Sequence, residues 1–113
     1  MFVLEPDLLF SSRVESAALK SGLEVKVTTT FDELQSALKE SVPKALLVNL
    51  DAFTRLGAPL IASVRGQCRL IGYYSHVESK IAVQALANGF ERVLPRRTFM
   101  YELNNLLVEL SSS

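Results

Sequence analysis

One cysteine, one histidine and no net charge leave this chain of 113 residues short of the materials for several chemistries. Cys68 alone forms no internal disulfide and no cysteine-rich metal site, which fits a reducing, cytoplasmic setting. It reads as an inert small residue. His76 is the sole histidine. No second His or Cys stands at metal-ligand spacing, so it reads as a solvated loop residue. For the same reason no Ser/His/acid or Cys/His set has a credible spacing. Twelve basic residues cancel twelve acidic ones. No global field then steers the chain to nucleic acid or to an anionic membrane, and direct nucleic-acid binding would need a local patch. No apolar run approaches the roughly 20 residues of a membrane span. The N-terminus has neither the basic region nor the apolar stretch of a signal peptide. There is no Gly-x-Gly-x-x-Gly after the first apolar run, no Gly-Lys-Ser/Thr loop and no Asp-x-His-x-x-Gly.

What is there is alternation of short apolar runs with amphipathic stretches. Residues 45–48, Ala-Leu-Leu-Val, are too short for a helix, bounded by Pro43 and by a turn-rich loop. Such a run suits a central strand covered on both faces, and Asn49 stands at its end. A first strand is expected over 2–4 and a half-buried second over 24–28. A fourth is expected over 70–74 and a brief fifth over 92–94. Between them Asp7 caps a helix carrying Phe10, Val14, Ala17 and Ala18, which Gly22 stops. Thr30 and Glu33 have the form of a capping box before Leu34, Ala37 and Leu38. A third helix is expected over 58–65 after a loop ending at Gly57, with Gly66 beyond. A fourth over 78–87 carries Ile81, Ala85 and Leu86 and ends at Asn88-Gly89. Thr98 caps the last helix, whose Leu103, Leu106, Leu107 and Leu110 follow one face. Five strands alternating with five helices imply right-handed crossovers and a parallel sheet with helices on both sides. One domain over 1–110 is expected, with 111–113 a frayed tail or the start of a linker.

A five-fold βα chain of this length, with these punctuating glycines, resembles the receiver domain of bacterial response regulators. The resemblance implies a flavodoxin-like α/β fold with strand order 2-1-3-4-5 and a role in two-component, phosphorelay signal transduction rather than as an enzyme. It rests on spacing. In the family an acceptor aspartate ends the third strand eight residues before a glycine; here Asn49 and Gly57 have that separation. A Thr or Ser ends the fourth strand fifteen residues before another glycine; counted back from Gly89, that place holds Tyr74. The lysine seven residues after that glycine corresponds to Arg96, with Pro95 before it instead of a proline after. The acidic pair of the first strand corresponds to Glu5-Pro6. A neutral amide is not the anionic nucleophile that accepts a phosphoryl group. Glu5 beside a proline is a poor site for Mg²⁺, which wants several oxygen ligands. The expectation is therefore a pseudo-receiver: a phosphorylation-independent interaction or dimerisation module without cofactor or metal. Its degenerate pocket is Glu5, Pro6, Asn49, Tyr74 and Arg96, with Arg96 pairing with Glu5 or Asp51. Asn49 reads equally as a relic or as a structural hydrogen-bonder that caps the next helix or ties down a loop. Two alternatives stand beside this reading. In one, Asp51 is the acceptor of an active receiver that uses Mg²⁺. In the other, the chain is a small flavodoxin-like cofactor-binding protein.

A contact surface is expected around the fourth helix, fifth strand and fifth helix. Arg92, Arg96 and Arg97 cluster there, with Lys80 near. Phe99, Met100 and Tyr101 are consecutive, so at least one of the three is exposed. In receivers this face serves dimer formation and output, and the resemblance implies signalling proteins, or the chain itself, as partners.

Overall fold

A computed structural model describes residues 1–52, 64, 66–75 and 79–111. The helix expected over 58–65, apart from Val64, lies outside the described residues, as do Gly57 and His76. The described elements are β1 (Phe2–Leu4), α1 (Leu8–Lys20), β2 (Lys26–Thr28), α2 (Phe31–Glu40), β3 (Ala45–Asn49), β4 (Arg69–Tyr74), α3 (Ser79–Ala87), β5 (Arg92–Pro95) and α4 (Arg96–Ser111). Thus α3 and α4 are the fourth and fifth helices read from the sequence. The five strands form one parallel sheet in the order β2-β1-β3-β4-β5. That is the flavodoxin-like arrangement expected. Among the described residues no helix is long and apolar enough to cross a membrane.

β3 lies at the centre and all five of its residues are buried. Its apolar run is read by both faces, because side chains alternate along a strand. Leu46 and Val48 join Leu34 and Ala37 of α2 and Ala85 of α3 on one side. Leu47 joins Phe10 and Val14 of α1 and Phe99, Leu103 and Leu107 of α4 on the other. Asn49 continues the alternation of Leu47, so it faces α1 and α4. At Gly72 of β4 the packing is close: an added Cβ would lie 2.6 Å from the Leu50 side chain.

The helix ends follow local chemistry. Asp7 accepts from the N–H groups of Leu9 and Phe10 at 3.0 and 3.3 Å. Gly22 takes φ +78 just beyond α1, a conformation that costs other residues a clash at Cβ. Thr30 Oγ1 accepts the Glu33 N–H at 3.1 Å. The reciprocal arm of the capping box differs, for Glu33 Oε1 accepts from the Thr29 hydroxyl at 2.7 Å. Two other expectations are corrected. α4 starts at Arg96, so Thr98 lies within its first turn and does not cap it. Pro95 ends β5 with φ fixed near a helical value, and the chain enters the helix directly. Leu86 is half exposed while Ala85 is buried. Adjacent helical residues point about 100° apart, so the face of α3 that buries Ala85 turns Leu86 outward.

Candidate functional site

The carboxyl ends of β1, β3 and β4 bring together three side chains that are far apart in sequence. Leu4 pairs with Val48 and Tyr73 with Asn49, which sets Glu5, Asn49 and Tyr73 side by side. Glu5 is fully buried, and Asn49 and Tyr73 nearly so. Asn49 Nδ2 donates to Glu5 Oε2 at 2.9 Å and Oε1 at 3.1 Å. The Tyr73 hydroxyl donates to Glu5 Oε1 at 2.9 Å, and the Asp7 N–H to Oε2 at 3.0 Å. Asn49 Oδ1 accepts from the N–H groups of Asp51 and Ala52 at 2.9 and 3.2 Å. Those two donors demand an oxygen, so the amide nitrogen must be the end that faces Glu5. Asn49 thus ties down the turn after β3 and also saturates a buried carboxylate.

Tyr73 is locked by packing as well as by its hydroxyl. Its ring stacks on Phe99 with centroids 4.4 Å apart and lies 5.1 Å from the Phe10 ring. Burial first, and then the adjacent Glu5 carboxylate, push its phenol far above the ordinary tyrosine range. It is therefore held as a hydrogen-bond donor. Among the described residues no buried side-chain nitrogen or oxygen lacks a partner. A satisfied network of this kind is closed: it offers no free lone pair to a ligand without first losing a hydrogen bond.

The donor set does not fit Mg²⁺. Both oxygens of Glu5 are engaged by N–H and O–H donors. Pro6 supplies no side-chain oxygen and is exposed. Asn49 turns nitrogen, not oxygen, toward the place where a cation would bridge to Glu5. Nor is an amide nitrogen a nucleophile toward phosphorus. Among the described residues no group of three or more His, Cys, Asp or Glu could hold a metal.

Two residues expected in the pocket lie elsewhere. Tyr74 packs in the cluster on the opposite side of the sheet, with Leu46, Val48 and Leu70. Counting back from Gly89 found the end of β4 but not its register; the parallel pairing with β3 puts Tyr73 opposite Asn49. Alternation carried the missed signal, since the odd-numbered residues of β3 and β4, Asn49 and Tyr73 among them, share one face. Arg96 pairs with Asp7 at 3.6 Å and not with Glu5 or Asp51. Its guanidinium lies over the Phe10 ring, 3.9 Å from the centroid. Starting α4 at Arg96 anchors it beside the start of α1, where Asp7 is. Asp51 Oδ2 accepts the Ser75 N–H at 2.6 Å, which ties the turn after β3 to the end of β4.

Of the expected contact surface, Lys80, Arg97 and Tyr101 are exposed, Tyr101 at 89%. Phe99 is not part of that surface: it is fully buried beneath Tyr73. Arg92 donates to both carboxylate oxygens of Glu109 at 3.1 Å, and Arg69 bridges Glu109 to Glu91 at 2.9 and 2.6 Å. These contacts hold Glu91 and Glu109 below the usual carboxylate range. Periodicity did not single out Arg69, because its partners are distant in sequence. Cys68 is half-buried, and burial pushes its thiol up to about 11, which suppresses the reactive thiolate.

No family model matches the sequence, and no curated protein matches it. Solved structures do match the fold. A response regulator from Thermotoga maritima superposes with a TM-score of 0.80 at 15% identity, covering 99% of this chain and 96% of its own. A response regulator receiver protein from Burkholderia phymatum gives 0.73 at 17% identity, covering 94% and 92%. A CheY-like receiver domain protein from Methanospirillum hungatei gives 0.74 at 14%, covering 98% and 94%. At such identities the likeness is one of fold alone, and in that sense this chain has the fold of a response-regulator receiver domain along nearly its whole length.

Proposed function

We propose that the chain is a receiver-type signalling module that works without phosphorylation, by binding partners and not by catalysis. One observation carries this reading: Asn49, at the end of the central strand, spends its amide nitrogen on the buried Glu5 carboxylate and its oxygen on the following turn. The position at which the fold's relatives would present an acidic nucleophile is thereby neutral and internally satisfied. No metal or cofactor is needed to complete it. The partners are signalling proteins or a second copy, met on the face of α3, β5 and α4. That face offers exposed Val83, Leu86 and Tyr101 beside the charged Lys80 and Arg97.

Incubation with acetyl phosphate, or with beryllofluoride, in the presence of Mg²⁺ tests the reading. The expected outcome is an unchanged intact mass and unchanged amide spectra for 49–52. Stoichiometric labelling would overturn it. Labelling lost in Asp51→Ala would establish instead the active receiver, whose acceptor already draws the Ser75 N–H.

A further inference from the structure

We propose that the open edge of β2 is a docking site for an extended, basic segment of a partner protein. The segment adds beside β2 as a further strand and lays its cationic side chains over a groove between β2 and α2. This does not depend on the chemistry of Asn49.

β2 is the terminal strand of the sheet. Lys26 donates its N–H to the Met1 carbonyl and Thr28 accepts from the Glu5 N–H, so the backbone of both faces β1. Alternation then turns the N–H and C=O of Val27 to the outer edge, where no described strand lies. Such an edge is a template for strand addition, with main-chain hydrogen bonds giving affinity and side-chain pockets giving choice. Beside it is a groove of about 410 Å³, with Lys26 and Thr28 on one wall and Asp32, Glu33, Ser36 and Glu40 of α2 on the other. Lys26 and Thr28 point to the same face by the two-residue period, so an added strand sends every second side chain over this groove.

Charge decides the occupant. Three exposed carboxylates line the groove against one ammonium. Glu33 is held in place by the Thr29 hydroxyl, and neither Asp32 nor Glu40 makes an ion pair among the described residues. Lysine or arginine at alternate positions complements this wall. A second copy does not, because pairing two β2 edges sets one acidic groove beside the other.

Amide NMR of the chain titrated with a capped Lys-Val-Lys-Val-Lys peptide tests the proposal. The Val27 amide is expected to shift and to exchange more slowly, with affinity that falls as salt rises. The Glu-Val-Glu-Val-Glu peptide is expected not to bind. The lysine peptide N-methylated at every residue keeps its charge, loses its strand donors and is expected not to bind either. Ser36→Lys with Glu40→Lys reverses the wall at two exposed positions that cap nothing, and should weaken binding about tenfold. Equal binding of the N-methylated peptide, equal binding of the glutamate peptide, or an unmoved Val27 amide would each overturn the proposal. So would self-association that protects Val27 without any peptide.

Discussion

Asn49 does two jobs with one amide, and substitutions separate them. Asn49→Asp keeps the acceptor for the turn after β3 but sets a second carboxylate against buried Glu5. Like charges that close favour a shared proton, so the folded pair binds a proton that the unfolded chain releases. Stability of the variant should therefore fall as pH rises from about 5 to about 8, with recovery toward the wild type at the acid end. Thermal melts across that range check it; a variant with a flat profile would mean that the two carboxylates do not face each other. Tyr73→Phe removes one of the donors to Glu5 and should cost about 1–3 kcal/mol by denaturant unfolding, whereas Tyr74→Phe should cost far less. Tyr73 also makes a statement about alkali. Its folded-state phenol is raised above the unfolded value, so its contribution is complete below about pH 10 and is lost as pH rises beyond it, because the unfolded tyrosine ionises first. Tyr73→Phe should flatten that alkaline loss of stability. Sequence alone named Glu5 and Asn49 for this cluster. It chose Tyr74 over Tyr73 because a count along the chain does not see the register between two strands.

At the scale of elements, the strands were easier to read than the positions they take. The run over 45–48 announced a central strand, and the stripe from Leu103 to Leu110 announced the face of α4 that is buried. Thr98 has the residue type of a cap, but Pro95 leads straight into the helix and α4 starts before Thr98. That earlier start places Arg96 in the first turn of α4, beside Asp7 and Phe10 and not in the pocket. Within β4, Gly72 is set by its neighbours. A methyl group there meets Leu50 at 2.6 Å and Phe90 at 3.3 Å, and both are buried. Gly72→Ala should destabilise by about 1–3 kcal/mol, measured by urea unfolding, because a filled core answers added volume with displaced side chains. An unchanged midpoint would mean that Leu50 moves aside freely. The ion pairs joining Arg69, Glu91, Arg92 and Glu109 clamp β4, β5 and α4 at the surface, where salt screens them.

Across the whole molecule, the closed network makes a claim about ligands. A folded state that binds an ion gains stability with its concentration, and one that does not bind gains none. Millimolar Mg²⁺ should leave the melting temperature of this chain unchanged, and a rise of several degrees would reopen the acidic site. For Asn49→Asp the same ion should raise it, because the second carboxylate gives the cation an oxygen to bridge. What the sequence by itself determined was the alternation of strand and helix, the neutrality of position 49 and the scarcity of His and Cys. Those properties are local or compositional: period, capping and residue type act within a few neighbours. What only the tertiary structure decided was which side chains meet: Tyr73 and not Tyr74 on Glu5, Arg96 on Asp7, Phe99 under the tyrosine ring and the open groove beside β2. Contacts between residues 44 and 68 positions apart depend on sheet register and helix start, and a slip of one residue sends a strand side chain to the opposite face.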